Sequence, residues 1–130
     1  LKKSNLEILP TGYILIDGGV PTSVQYISNT TPIPSDKHHI AAATALAGEQ
    51  LGLQLIYIDA GSGALRPISK KMISTIRKQI SKPLIVGGGI RNYEDLENAW
   101  ISGADLVVIG NAIEKNTTLI QLLNNRMKCN

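Results

Sequence analysis

Three short stretches of this chain carry the residue types from which a phosphate-handling site is made. Asp59 lies within Tyr57-Ile58-Asp59-Ala60-Gly61-Ser62-Gly63, Gly87-Gly88-Gly89-Ile90-Arg91 follows Pro83-Leu84-Ile85-Val86, and Gly110-Asn111 follows Val108-Ile109. Glycine lets a backbone approach a ligand closely with free choice of φ. Where such a turn opens a helix, the first N–H groups of the helix point back at it and favour an anion, most often a phosphate. Asn92 can cap such a helix after the glycines, and Arg91 either supports a phosphate or pairs with a nearby carboxylate. Asp59 stands between an apolar run and two glycines. There its carboxylate either takes a proton or hydrogen bond from a substrate hydroxyl or caps the following turn. Ser62 has no evident base partner and is not read as a nucleophile.

Other residues with chemical potential read as structural. Asp17, before Gly18-Gly19, is a turn residue, His38 and His39 open a helix without metal spacing, and Trp100 is assigned to the core. Cys129 has no Cys or His partner and reads as a free thiol in a reducing compartment. The net charge of +3 comes from dispersed Lys and Arg, which excludes a nucleic-acid footprint. Lys70, Lys71, Arg77, Lys78 and Lys82 do cluster, and read as a solvated helix face. The sharper alternative is weak, peripheral attraction to an anionic membrane surface. No long apolar run follows Leu1-Lys2-Lys3-Ser4-Asn5, and none approaches the roughly 18 residues of a membrane span. The expectation is a soluble, cytoplasmic protein. A start at Leu1 rather than Met adds the expectation of a piece of something longer.

The glycine turns need strands to end at and helices to open. The 130 residues are 43% hydrophobic with no Phe and one Trp, enough for one domain with an aliphatic core. Leu1 to Leu6 reads as the end of a helix, and Tyr13 to Ile16 as a buried strand closed by Asp17-Gly18-Gly19. Residues 20–36, with Pro21, Pro32 and Pro34, read as a long loop on the active face. Ser35 or Asp36 then caps a helix over Lys37 to Leu51, whose Ala41, Ala42, Ala43, Ala45 and Ala47 suit packing on a sheet, with Gly52 as its stop. Strands follow at Leu53 to Asp59, Leu84 to Val86 and Asp105 to Ile109. Between and after them come helices over Ile68 to Ile80, with Pro67 in the first turn, Tyr93 to Ser102, stopped by Gly103, and Asn116 to Met127, the last after a short turn at Ala112 to Lys115. The strands are apolar throughout, the pattern of a parallel sheet covered on both sides. Each strand ends in a glycine turn, so the turns share the C-terminal edge. Consecutive βα units of this kind make a (β/α)8 barrel. Its final two turns form a phosphate cradle, which numbers the strands here five to eight.

The same residues carry a resemblance. Thr22-Ser23-Val24-Gln25-Tyr26-Ile27-Ser28-Asn29-Thr30-Thr31-Pro32-Ile33-Pro34, Tyr57 to Ala64, Val86 to Arg91 and Val108 to Glu114 resemble the geranylgeranylglyceryl phosphate synthase family, which includes the bacterial heptaprenylglyceryl phosphate synthases. The resemblance runs from about Tyr13 to Leu123. It implies the C-terminal half of an α/β (β/α)8 TIM barrel. It also implies Mg²⁺-dependent transfer of a prenyl group from a prenyl diphosphate to the 3-hydroxyl of sn-glycerol 1-phosphate, a step of ether-lipid synthesis. By the same resemblance Tyr57, Ile58, Asp59, Ala60, Gly61, Ser62 and Gly63 line the glycerol phosphate, while Gly88, Gly89, Gly110 and Asn111 hold its phosphate through N–H groups. Asp59, where many members carry Glu, would orient or deprotonate the attacking hydroxyl as the catalytic residue. The family's metal-binding Asp, a phosphate-contacting Lys and most of the prenyl groove belong to its first half. The expectations are therefore Mg²⁺ ligands outside this chain, an acceptor-side half inactive alone, and a partner that is either the N-terminal half or a second copy. An isomerase or synthase acting on another phosphorylated substrate, and a non-catalytic phosphate-binding half-barrel, remain alternatives.

Overall fold

The computed structural model describes residues 3–127, so Leu1, Lys2 and Cys129 lie outside the described residues. Ten elements follow one another: β1 (Thr11–Leu15), α1 (Ser23–Ser28), α2 (His38–Gln50), β2 (Leu55–Asp59), α3 (Lys70–Arg77), β3 (Leu84–Gly87), α4 (Tyr93–Ile101), β4 (Leu106–Val108), α5 (Asn111–Lys115) and α6 (Thr118–Met127). The strands form one sheet in the order β1-β2-β3-β4, every pair parallel. Each strand therefore lies beside the one before it, and no crossover skips a position. That sequential winding is the pattern of a half-barrel; a doubly wound sheet reverses its order at a switch point.

The register sorts side chains by face. Tyr13 lies opposite Tyr57, Tyr57 opposite Ile85, and Ile85 opposite Leu106. On the other parity Ile14, Ile58 and Val86 are in line. This second set packs with Ala41, Ala42 and Ala45 of α2, Met72, Ile73 and Ile76 of α3, and Ala99 of α4 in one buried core. A smaller cluster joins Ile90 and Leu96 to Leu123 of α6. The first set faces away from the helices, with Leu106 at 55% and Val108 at 45% exposure. The sheet is thus covered on one side, not on both as its apolar strands led one to expect. Residues destined for a barrel interior are as apolar as residues under a helix, but about eight strands are needed to enclose that interior.

Side-chain caps open α1, α3 and α4. Asn92 accepts the N–H of Asp95 at 2.8 Å, as expected, and Ser69 accepts that of Met72 at 3.2 Å. Ser69, not Pro67, therefore opens α3; its face at Ile68, Met72, Ile73, Ile76 and Ile80 is buried as its period requires. Neither Ser35 nor Asp36 caps α2, whose N-cap is Lys37 without a side-chain bond; Asp36 instead pairs with Lys37 at 3.1 Å. Ala43 and Ala47 are exposed, and Gly48 takes the fourth buried place on that helix. Residues 3–6 are not helical. The stretch read as loop at 20–36 contains α1, capped by the buried Thr22, and its return leg pairs Ile33 with the end of β1 through Ile33 N–H to Leu15 O at 2.9 Å. Trp100 is 36% exposed, because the inner positions of α4 are taken by Leu96 and Ala99.

The N-terminal edge of the sheet is fastened by two side chains. Arg77 pairs with Asp105 at 2.9 Å and donates to the carbonyls of Ile80 and Lys82, while Asp105 also accepts the Leu84 N–H. Arg77 therefore leaves the basic cluster and ties α3 to the start of β4. Glu49 accepts from the Ser81 hydroxyl and N–H at 2.6 and 2.8 Å, and these bonds hold its carboxyl below the usual carboxylate range.

The two faces should respond differently to truncation. Ile58→Ala, under the helices, is expected to lower stability by about 2–5 kcal/mol, whereas Leu106→Ala, on the open face, should stay within about 0.5 kcal/mol. Denaturant midpoints of the two variants check this; equal losses would mean that the open face is covered in solution.

Candidate active site

At the C-terminal edge the turns after β2, β3 and β4 enclose an open pocket of about 630 Å³. Tyr57, Asp59, Gly61, Ser62, Gly63, Gly88, Gly89, Gly110 and Asn111 all line it. Ile58 and Ala60 do not: alternation along β2 sends their side chains into the helix-covered core. Arg91 and Lys115 also line the pocket, so two cations share it with the single carboxylate of Asp59.

The turn after β3 is seated directly on the turn after β2. Gly88 has φ +82, and a Cβ there would stand 2.7 Å from the nitrogens of Ala60 and Gly61 and 2.8 Å from Asp59 Oδ1. A side chain is thus excluded both by the left-handed backbone and by the contact. Gly89 repeats this against the backbone of Arg66. Among the described residues, the N–H groups of Gly88, Gly89, Gly110 and Asn111 donate to no backbone acceptor, and all four residues line the pocket. Arg91 is held at the rim by its bond to the Ala64 carbonyl at 2.9 Å, while its own N–H goes to Asp95 at 3.0 Å. Its side chain thus reaches a carbonyl rather than a carboxylate.

Asp59, beside Gly88, is only 9% exposed. Its Oδ1 accepts the Gly61 N–H at 2.8 Å, and its Oδ2 accepts the Tyr13 hydroxyl at 2.5 Å. Asp59 therefore caps the following turn, and it also lines the pocket. Tyr13 meets Tyr57 edge to face, with ring centroids 5.2 Å apart. Burial, then the bond to Asp59, pushes the Tyr13 hydroxyl well above its ordinary value, and burial with the Asp59 charge raises that of Tyr57. The Ser62 hydroxyl donates to Asn111 Oδ1 at 3.0 Å, joining the turns of β2 and β4 across the glycines of β3.

The remaining candidates lie elsewhere. Asp17 accepts the Gly19 N–H at 2.8 Å as a turn residue. His38 borders a smaller cavity with Asp17, Asp36 and Arg66, and His39 is at the surface. Among the described residues no three His, Cys, Asp or Glu side chains are grouped as a metal ion would need. No helix among them is long and apolar enough to cross a membrane. Sequence reading passed over Tyr13 and Lys115. Tyr13 is visible only through register, which sets it opposite Tyr57; Lys115 carries no motif.

A family profile described as the PcrB family matches residues 1–127. A geranylgeranylglyceryl phosphate synthase of Chitinophaga pinensis is 60% identical over 121 residues, covering 93% of this chain and 48% of its own length. Among solved structures, a wild-type GGGPS from Thermoplasma volcanium superposes with a TM-score of 0.84 at 35% identity, covering 95% of this chain and 49% of that one. The (S)-3-O-geranylgeranylglyceryl phosphate synthase of Thermoplasma acidophilum, in complex with its substrate sn-glycerol-1-phosphate, gives 0.86 at 30% identity, with 94% and 49% covered. The chain thus spans about half the length of the relatives it matches.

The raised phenols of Tyr13 and Tyr57 link stability to pH in the alkaline range. A group whose pKa is higher folded than unfolded stabilises below its unfolded value and loses that contribution as pH rises. Stability should therefore fall above about pH 10. Tyr13→Phe should flatten that decline, as denaturant titrations across the alkaline range will show.

Proposed function

The chain belongs to the PcrB family, and from that premise we propose that it is the glycerol-phosphate-binding half of a prenyltransferase of ether-lipid synthesis. The observation that carries this reading is one pocket lined both by the Asp59 carboxylate and by Gly88, Gly89, Gly110 and Asn111, whose N–H groups donate to no backbone acceptor among the described residues. The bilobal chemistry of sn-glycerol 1-phosphate, an anion joined to a diol, matches that arrangement. The solved relative with this ligand bound supports it.

In this reading Gly88, Gly89, Gly110 and Asn111 hold the phosphate through their N–H groups, with Arg91 and Lys115 supplying positive charge. Gly61, Ser62 and Gly63 wall the pocket and Tyr57 covers the glycerol. Ile58 and Ala60 contribute backbone alone, since their side chains are in the core. Asp59 receives the hydroxyl at C3. Each of its oxygens already accepts one bond, and a carboxylate oxygen has room for a second. The hydroxyl oxygen attacks C1 of the prenyl diphosphate, the C–O bond to diphosphate breaks with its electron pair leaving on diphosphate, and the proton passes to Asp59. Positioning a weak nucleophile beside its proton acceptor is what this half supplies. Mg²⁺, which would neutralise the leaving diphosphate, is assigned to no residue of this chain.

The strands are read as five to eight of the barrel, with β1 and β4 as edges. The open apolar face at Tyr57, Ile85, Leu106 and Val108 and the sheet edges at β1 and β4 call for a complementary half-barrel, either the other half of the fold or a second copy.

Calorimetry with sn-glycerol 1-phosphate and its enantiomer tests the substrate. The 1-phosphate should bind about tenfold more tightly; equal affinities would reduce the pocket to a generic phosphate site. Sedimentation velocity tests the barrel. The chain alone is expected to self-associate, and a stable, well-folded monomer would count against the need for a complementary half.

A further inference from the structure

We infer that Tyr13 is a positioning residue of this site, its hydroxyl aiming the Asp59 carboxylate at the acceptor hydroxyl; the assignment rests on the substrate reading above. The torsion between Cβ and the carboxylate of an aspartate joins an sp³ to an sp² carbon and is broad, so one hydrogen bond leaves the plane of the carboxylate free to turn. The Gly61 N–H fixes Oδ1 alone. The Tyr13 hydroxyl fixes Oδ2 from a strand 46 residues away, and the two bonds together define the plane.

Tyr13 is itself well held. It lies opposite Tyr57 in the β1–β2 register and sets its ring against that of Tyr57 at 84°. At 44% exposure it stands on the open face of the sheet and does not line the pocket, whereas Asp59 does. Its hydroxyl therefore reaches a ligand through the carboxylate, while its ring reaches Tyr57, a contact that Tyr13→Phe preserves. The raised pKa of the phenol keeps it protonated, and so a donor, across the neutral range.

The test is a double-mutant cycle on binding, read by calorimetry on the wild-type chain, Tyr13→Phe, Asp59→Asn and the double variant. Phe keeps the ring and removes the hydroxyl. Tyr13→Phe should weaken sn-glycerol 1-phosphate about tenfold and leave inorganic phosphate unchanged, since a charge-assisted bond is lost only at the hydroxyl end. The double variant should bind no more weakly than Asp59→Asn. Unchanged affinity in Tyr13→Phe, an equal loss for inorganic phosphate, or additive losses would overturn the inference. Proton NMR gives a readout that needs no ligand: the wild-type chain should show one strongly downfield hydroxyl resonance that both single variants lack. Its absence from wild type, or its survival in Asp59→Asn, would also overturn the inference. Failure of the wild-type chain to bind sn-glycerol 1-phosphate would instead remove the substrate reading and leave the resonance to decide the coupling.

Discussion

The C-terminal edge depends on one close approach, that of the turn after β3 to the turn after β2. Gly88 sits where any side chain would collide with the backbone of Ala60 and Gly61 and with the Asp59 carboxylate. That contact brings the β3 glycines beside the end of β2, and so places the unused N–H groups and the carboxylate around one pocket. It also shields Asp59, whose burial makes its two hydrogen bonds worth more than they would be in water. The Ser62–Asn111 bond extends the same arrangement to the β4 turn, so that three turns from separate parts of the chain act as one wall.

The two ends of the sheet are held by different means. At the N-terminal edge, Arg77–Asp105 and Glu49–Ser81 clamp loops whose backbone groups are largely satisfied. At the C-terminal edge the N–H groups of Gly88, Gly89, Gly110 and Asn111 donate to no backbone acceptor among the described residues. This division, with stability at one end and unspent hydrogen-bonding capacity at the other, is what parallel βα units allow: their loops at the C-terminal edge are free to vary while the core below them is packed.

The two faces of the sheet show a second asymmetry. One carries Ile14, Ile56, Ile58, Leu84 and Val86 into a core with three helices. The other carries Tyr13, Leu55, Tyr57, Asp59 and Ile85, so the catalytic candidate, its phenol partner and the open apolar surface belong to the same face. Half of a barrel thus carries a pocket on its rim but only half of an interior, a consistent counterpart to relatives of twice the length.

Much of this was legible in the sequence, for identifiable reasons. Asn92 announced α4 because a capping side chain acts on its own next residues, and the Ile68, Met72, Ile73, Ile76, Ile80 period announced the buried face of α3 because period follows from helix geometry alone. The glycine turns announced the pocket because close approach demands glycine locally. What failed was longer in range. Ser35 and Asp36 looked like caps, yet the chain turns at Lys37 before either can reach the helix; Arg77 looked like one charge of a surface cluster until Asp105, distant in sequence, claimed it. Apolar strands could not say which face lay under helices, because interior and helix-covered positions select the same residues. The sequence by itself determined the order of strands, the positions of the glycine turns and the presence of Asp59. Only the tertiary structure decided that Asp59 is shared between Gly61 and Tyr13, since strand register, a property of two segments rather than one, brings that phenol to the carboxylate.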